Sequence, residues 1–484
     1  MLKVFNTLSG QKEEFQPLEQ GKVSMYVCGL TVQNYSHLGH LRSALNYDLI
    51  RRYLEYKGYQ VTYIMNFTDI NEKIVARAAE EGMTPPALAE KYTQAYLEDL
   101  QSLQIKPATA YVKATENIAA IIAMIEKLIA RGYAYQVAGN VYFSVEKFAD
   151  YGKLSGRNID QLQAGARIDI LEDKQNPLDF ALWKRVDDQE ISWDSPWGKG
   201  WPGWHIECSA MSTKYLGDSF DIHGGGSDLI FPHHENEIAQ SEACTGKPFA
   251  RYWLHNGTVN LKGEKMSKSL GNFYTTRELL KEFRAEEIRY FILTKHYRTP
   301  IDFSLTELKQ AGVSLKRLVN TVNQLQGLLA EGSSPEGNNL LAGQEELRAF
   351  FKSSQANFEQ AMDDDFNSAR AIGVLHELAR AINSWINQPN FVPDENNKDL
   401  LEEGYKLFVK MAEVIGLSLN EKKEAGKAAK DLEVIINFIL ELREEAREEK
   451  NWRLADRIRD RLNQLGYIIK DTPQGVRWER DSEL

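Results

Sequence analysis

KVSMYVCGLTVQNYSHLGHLRSALNYDLIRRYLEYKGYQVTYIMNF, residues 22–67, decides the fold. Val23, Met25 and Val27 alternate toward Gly29, as a strand requires. A polar stretch leads into a helix-like run from Leu41 to Lys57, and after Gly58 a second apolar run extends from Val61 to Phe67. Strand, loop, helix and strand in this order open a parallel α/β sheet of Rossmann-like type. Such sheets bind ligands beyond the carboxyl ends of their strands, which is where Cys28 and the residues after it lie.

Working outward, residues 72 to 131 read as helical, with Ile118, Ile121, Ile122, Ile125, Leu128 and Ile129 at spacings of three and four. Between 133 and 200 the pattern changes: VYFSVE reads as a strand, followed by glycines, turns and tryptophans. Sheet-like sequence returns at 201 to 262. The expected architecture is therefore a nucleotide-binding sheet over 1–262 split by an insertion at roughly 115–200. A loop-containing region at 263–310 and a helical bundle at 311–420, with loops at 332–345 and 388–399, come next. A small C-terminal domain at 421–484 ends the chain. In it, 419–430 reads as helix or hinge, 431–465 as helix, and IIKDTPQGVRWER as a hairpin around Pro473-Gln474-Gly475.

Composition bounds the function. A chain of 484 residues with 43% hydrophobic and 26% charged residues is long enough for two to four domains. The 58 Lys plus Arg against 69 Asp plus Glu give a net charge of −11, which excludes a uniformly basic nucleic-acid coat but not a local basic surface. Three scattered cysteines, 28, 208 and 244, do not make a disulfide framework and fit a reducing cytoplasm. The opening MLKVFNTLSGQKEEF has no apolar signal core, and no apolar run is long enough to suggest a membrane span.

Seven of the nine histidines fall between 37 and 255, many beside glycines, which suggests ligand contact. His37-Leu38-Gly39-His40 opens a helix, where backbone N–H groups and the dipole favour an anion. The two imidazoles can donate to phosphate oxygens, and Gly39 leaves room for a planar base. Lys262-Gly263-Glu264-Lys265-Met266-Ser267-Lys268-Ser269 reads as a mobile cationic loop able to close over a phosphate chain, in a sequence without a P-loop. Gly226 and Asp228, in Gly224-Gly225-Gly226-Ser227-Asp228, offer backbone amides to a nucleotide and an acceptor for a ribose hydroxyl or an ammonium. Cys28, Cys208, His233 and Glu237 are a plausible zinc set, the last two sharing a face if helical. Spacing leaves this open: the cysteines suit a buried apolar role, and His234 or Cys244 suits a ligand role.

The combination has a resemblance. His37-Leu38-Gly39-His40 and Lys265-Met266-Ser267-Lys268-Ser269 resemble the two signatures of class I aminoacyl-tRNA synthetases. Met25-Tyr26-Val27-Cys28-Gly29, Met65-Asn66-Phe67-Thr68-Asp69, Lys153-Leu154-Ser155-Gly156-Arg157, Gly203-Trp204-His205-Ile206-Glu207-Cys208-Ser209 and the run Gly226 to Glu237 resemble the cysteinyl-tRNA synthetase family. So does Asp471-Thr472-Pro473-Gln474-Gly475, and the likeness covers essentially the whole chain. It implies ATP-dependent activation of L-cysteine to an adenylate and its transfer to the terminal adenosine of tRNA-Cys. It also implies one Zn²⁺ held by Cys28, Cys208, His233 and Glu237 that reads the substrate thiol, Mg²⁺ accompanying ATP, a monomer, and a cytoplasmic location. His37, His40, Lys265 and Lys268 are the implied catalytic residues, with Gly39, Gly226, Asp228 and Lys268 at the nucleotide. Trp204, Thr68 and His205 are the implied surroundings of the amino acid.

The helical region is expected to contact tRNA. Arg453, Arg457 and Arg461 recur at intervals of four, with Arg459 and Lys470 nearby, although Asp456 and Asp460 share the helix. Trp478 suits stacking on a base or packing of the hairpin. Two rivals are a ligase joining cysteine to a small amino-sugar and a non-catalytic tRNA-binding homologue; the intact signatures and the C-terminal tail argue against both. Leu30, Leu41 and Asn71-Glu72 depart from the usual family residues without removing a group the chemistry needs.

Overall fold

The computed structural model describes residues 1–158, 174–186, 191–261, 264–265, 273–330, 343–389, 391–392, 395–419, 425–465, 467–472 and 475–480. The opening stretch folds as a strand, Lys22–Thr31, a helix, Leu38–Tyr56, and a strand, Gln60–Thr68. The helix begins ahead of the apolar periodicity because His37 caps it: its Nδ1 accepts from the Gly39 N–H at 3.1 Å.

Five parallel strands form the main sheet, in the order Ala250–Asn256, Phe220–Gly226, Lys22–Thr31, Gln60–Thr68, Ala110–Lys113. The opening strand is central and buried on both faces. Val23, Met25 and Val27 enter a core that continues through Leu41, Tyr47 and Phe291 to Leu315, Leu375 and Phe408. Tyr26 and Cys28 face a second core with Ile64, Ile121, Trp183, Cys208 and Trp253. Pairing of the two central strands shifts register between Val27 and Leu30, a bulge centred on Cys28-Gly29.

Two expectations are corrected. The span 72–131 is not helical throughout: helices Glu72–Glu81, Pro85–Ser102 and Ile118–Ala130 flank the short edge strand Ala110–Lys113. Four residues at a sheet edge carry too short an alternation to stand out from helical neighbours. The strand begun by VYF stops at Phe143, and Val145–Lys147 is a turn of 3-10 helix. The turn is set by Ser144 N donating to Tyr133 O at 2.8 Å and Val145 N to the Asp179 carboxylate at 2.9 Å.

Along the chain between Ala110–Lys113 and Phe220–Gly226 lies an antiparallel sheet, in the order Ala134–Val137, Asn140–Phe143, Phe180–Arg185, Gly200–Pro202. Its last strand leads directly into the helix Trp204–Leu216. After the main sheet, Val259–Leu261 pairs with Ile301–Phe303, and four helices follow, Leu305–Ala330, Gln344–Asp363, Ser368–Ile386 and Glu395–Val414. Helices thus begin inside both stretches expected to be loops at 332–345 and 388–399; positions 331–342 lie outside the described residues.

The chain divides into two compact units, Met1–Leu419 and Asn420–Leu484. The second contains helices Ala425–Glu448 and Trp452–Gln464 and an antiparallel hairpin, Tyr467–Thr472 with Gly475–Arg480. Thr472 pairs with Gly475, and Pro473 and Gln474 between them lie outside the described residues. No described helix is long and apolar enough to cross a membrane.

Candidate active site and metal centre

The bulge at Cys28-Gly29 is locally enforced. Gly29 N donates to Asn66 Oδ1 at 2.9 Å, and a Cβ at position 29 would lie 1.8 Å from the Asn66 carbonyl oxygen. The chain therefore has no alternative to glycine there, and the bulge aims the Cys28 side chain into the second core.

Four groups from three separate stretches of the chain meet at that point. Cys28 Sγ lies 3.7 Å from Cys208 Sγ and 3.4 Å from Glu237 Oε1, and His233 Nε2 lies 3.1 Å from the same carboxylate oxygen. One donor atom from each of Cys28, Cys208, His233 and Glu237 falls within 4.8 Å of the others. Two sulfurs at ~2.3 Å from a tetrahedral zinc stand about 3.8 Å apart, so the sulfur separation fits that ion. His233 sits in the wide helical turn Ile230–His234, whose one non-helical residue is Phe231, and this turn runs into the helix Glu235–Thr245, so the four-residue spacing brings His233 and Glu237 together as expected.

A second combination, Cys28, His223, His234 and Glu237, satisfies the same distance test. His223 Nε2 is 2.8 Å from Glu237 Oε2 and its ring stacks on Trp253, with centroids 4.4 Å apart. That contact orients the carboxylate from behind, as residues around metal ligands commonly do. The set with both thiols has the softer donors. Burial pushes the Cys28 and Cys208 thiols up and the His233 imidazole down, so the cluster is poor at holding charge by itself. A cation reverses that preference for the thiols.

Around this cluster, Trp204 stacks on His233 with centroids 4.4 Å apart while staying 43% exposed. His205 Nδ1 is 2.8 Å from His233 Nδ1, and burial lowers its pKa to about 3. Thr68 Oγ1 donates to Glu207 Oε2 at 2.9 Å. Glu207, fully buried and pushed up by desolvation, was given no role by the sequence reading; its place between His205 and Cys208 was the available signal. Also unforeseen is a buried chain from His234 Nδ1 to His255 Nε2 and from His255 Nδ1 to Thr7 Oγ1, each step 2.8 Å. The Lys153-to-Arg157 motif docks here as well. Gly152 N and Ser155 N donate to the Glu235 carboxylate at 3.0 and 2.8 Å, and Arg157 covers the Phe231 ring at 4.3 Å.

At the start of the first helix the two signature histidines stack, with centroids 3.8 Å apart. His37 Nδ1 accepts from Gly39 N, and His37 N donates to His40 Nδ1 at 3.3 Å. With each Nδ1 used as an acceptor, each neutral ring carries its proton on Nε2. Gly39 has a reason of its own besides ligand access: a Cβ there would lie 2.9 Å from His37 Cε1. His37 bridges to Thr275, and Leu38 N donates to Tyr274 O at 3.2 Å, so the segment after the cationic loop is tied to this turn. Lys265 lies on the strand Glu264–Lys265, opposite Asn260. Lys268 lies outside the described residues.

Gly226 ends the strand Phe220–Gly226, and exposed Asp228 follows in a 3-10 turn. The buried Tyr47 requires glycine at 224, where a Cβ would meet its ring at 2.3 Å, whereas a Cβ at 226 would meet only the movable end of the exposed Asp228 side chain. In the second unit Arg453, Arg457 and Arg461 are all exposed along one helix, whereas Arg459 pairs with Asp456 and Asp460 at 3.1 Å. Trp478 packs edge-on against Tyr467 and donates from Nε1 to Asn437 Oδ1 at 3.0 Å.

Residues 14–313 match the family of class I (C) tRNA synthetase catalytic domains, residues 357–420 the DALR domain, and residues 429–478 the cysteinyl-tRNA ligase anticodon binding domain. Cysteine–tRNA ligase of Heliobacterium modesticaldum is 51% identical over 484 residues, covering 99% of both chains. That of Thermococcus onnurineus is 49% identical, again over 99% of each. Among solved structures, Mycobacterium tuberculosis methionyl-tRNA synthetase in complex with methionyl-adenylate superposes with a TM-score of 0.62 at 15% identity, over 84% of this chain and 93% of that one. The Agrobacterium radiobacter K84 leucyl enzyme superposes with a TM-score of 0.59 at 11% identity, covering 83% and 86%. These two establish a shared class I synthetase fold. With near-complete coverage at about half identity, and a catalytic-domain family model matching residues 14–313, the chain belongs to the cysteine–tRNA ligase family.

Proposed function

We propose that this protein is a cysteine–tRNA ligase that activates L-cysteine with ATP and transfers it to the 3′-terminal adenosine of tRNA-Cys. The observation that carries the reading is the convergence of Cys28, Cys208, His233 and Glu237 within 4.8 Å, at the carboxyl end of the sheet whose next helix opens with His37-Leu38-Gly39-His40. Those four side chains would hold Zn²⁺. The ion would supply a soft Lewis acid that takes a substrate thiol in preference to a serine hydroxyl, a larger distinction than the ~1–3 kcal/mol of a methylene-sized pocket difference.

The rest is work for the chain's own residues. In activation the cysteine carboxylate attacks the α-phosphorus of ATP and pyrophosphate leaves. The nucleophile is already ionised, so alignment and charge stabilisation dominate. His37 and His40 present Nε2 protons to phosphate oxygens, and Lys265 and Lys268 bring positive charge to the same phosphates; Mg²⁺ accompanies ATP. Gly39, Gly226 and Asp228 border the nucleotide. Thr68, Trp204 and His205 surround the amino acid, with Glu207 fixing the Thr68 hydroxyl.

In this reading residues 1–262 form the catalytic domain with its insertion at 115–200, and 263–310 the loop and stem-contact region. The helical bundle of 311–420 and the small domain of 421–484 engage tRNA, the latter through Arg453, Arg457, Arg461 and Trp478. The enzyme acts as a monomer in the cytoplasm. The test is transfer of radiolabelled cysteine to unfractionated bacterial tRNA by zinc-replete protein with ATP and Mg²⁺. Acid-precipitable charging with cysteine but not serine is expected. Absence of charging by folded, zinc-loaded protein sinks the reading and points to another acceptor, such as a small amino-sugar.

A further inference from the structure

Arg42 sits in the first helix two residues after His40 and is 1% exposed. Nη1 donates to Thr258 O at 2.6 Å and Nη2 to Tyr297 O at 3.0 Å, with Thr299 O as a third acceptor. Its Nε has no partner among the described residues, and no carboxylate there answers its charge. Burial lowers its pKa to about 10, which leaves it charged at neutral pH. A buried cation held only by backbone carbonyls is costly for a fold to keep. No step of activation uses that charge directly.

The three carbonyls come from two segments that cross. Thr258 precedes the strand Val259–Leu261, and Tyr297 and Thr299 precede its parallel partner Ile301–Phe303. Ile301 N donates to Thr258 O and Gly257 N to Tyr297 O, both at 2.9 Å. Each of those two carbonyls therefore spends one lone pair on joining the segments and the other on Arg42. The crossing is tight, since a Cβ at position 257 would lie 2.6 Å from Arg298 O and 2.8 Å from Pro300 N. Without Arg42 the two strands keep their mutual bonds but lose this attachment to the first helix. A planar guanidinium presents its donors in a fixed fork, so it sets orientation as well as distance; an ammonium on a flexible stem does not.

The attachment extends to the strand Glu264–Lys265. That strand pairs antiparallel with Val259–Leu261, placing Asn260 opposite Lys265 and Leu261 opposite Glu264. The path from His40 to the Lys265 backbone thus runs through Arg42, Thr258 and the paired strands. On the other side, Leu38 N donates to Tyr274 O at 3.2 Å and Thr276 N to Ser36 O at 3.0 Å. The backbone flanking residues 262–272 is therefore anchored on both sides to the opening turns of one helix.

We propose that Arg42 is a positioning residue for cysteine activation: it fixes the strand bearing Lys265 to the helix bearing His37 and His40, so that both sets of groups address the same phosphates. The inference rests on the ligase reading above and on its use of Lys265 at the phosphates. A displacement of about 1 Å in such an arrangement costs on the order of 10²-fold in rate. Pyrophosphate leaves only in activation, so the effect belongs to that step, and transfer from a preformed adenylate does not call on it.

The test compares full-length, zinc-loaded wild type, R42Q, R42K and G257A in two assays. One is cysteine-dependent pyrophosphate exchange, and the other is single-turnover transfer from enzyme-bound cysteinyl-adenylate to tRNA. For R42Q the expectation is kcat for exchange lowered roughly 10²-fold, with KM for cysteine, zinc content and transfer rate within about twofold of wild type. R42K, which keeps the charge but not the fork, recovers part of that loss. G257A, which opens the crossing and leaves Arg42 in place, shows a loss confined to exchange.

Exchange by R42Q within about twofold of wild type overturns the proposal. So does a parallel fall in exchange and transfer, or a raised KM for cysteine, because the arginine would then support the fold as a whole. If R42Q does not fold, the other two variants decide: a loss confined to exchange supports the proposal, and full exchange in both overturns it. If folded, zinc-loaded wild type performs neither step, the ligase reading fails and the Arg42 proposal falls with it.

Discussion

His37 does two jobs that substitution can separate. Its Nδ1 caps the helix through Gly39 N, and its Nε2 proton is the one offered to a phosphate. His37→Ala removes both, and losing the cap costs about 1 kcal/mol. His37→Asn keeps a capping acceptor but places no donor where Nε2 was. Both variants should lose pyrophosphate exchange by roughly 10²-fold, as removal of a preorganised charge-stabilising donor does. Urea denaturation should show only His37→Ala destabilised, and an active His37→Asn would remove His37 from the chemistry. His255 permits a pH prediction. Burial, with the neighbouring His223 adding, lowers its pKa to about 3, below the ordinary ~6.5 of the unfolded chain. Between those values the unfolded state binds the extra proton. Stability that is complete above about pH 6.5 is therefore lost progressively as pH falls toward 3, by up to ~1.4 kcal/mol per pH unit from this group. His255→Gln should flatten the dependence of unfolding free energy on pH between 4.5 and 6 by about that slope; an unchanged slope would mean that His255 does not titrate in this window.

The opening strand is legible in its alternation, but its most consequential feature is not. The bulge at Cys28-Gly29 depends on Asn66 of the neighbouring strand, which satisfies Gly29 N and leaves no space for a side chain. Gly29→Ala should force the two strands apart and withdraw Cys28 from Cys208. The expected result is a protein whose melting temperature no longer falls when a chelator is added, whereas that of zinc-loaded wild type does. Retention of a chelator-sensitive transition in Gly29→Ala would show that the bulge does not set the metal site. The strand Ala110–Lys113 escaped detection for a related reason, since at a sheet edge four residues are defined by their partner, Gln60–Thr68, more than by their own pattern.

At the scale of the molecule, the units Met1–Leu419 and Asn420–Leu484 each have their own apolar core, the smaller built on Ile436, Leu440 and Leu462. A chain ending at Leu419 should fold and keep cysteine-dependent pyrophosphate exchange while charging tRNA-Cys at least ~100-fold less efficiently. Equal charging by the truncated and full chains would remove residues 420–484 from tRNA recognition. The sequence by itself determined the fold class, through short-range periodicity in residues 22–67, and the family, through signatures that each occupy a few consecutive positions. Those are local properties: a strand's alternation or a helix-opening motif depends on neighbours within one or two turns. Tertiary structure alone decided what depends on residues far apart along the chain. It brought Cys28, Cys208, His233 and Glu237 together while also admitting His223 and His234 as alternatives. It placed Glu207 against Thr68, tied Thr275 to His37, and bonded Thr258 to Arg42. Each of these pairings follows from sheet order, helix docking and burial, and spacing along a single chain encodes none of them directly.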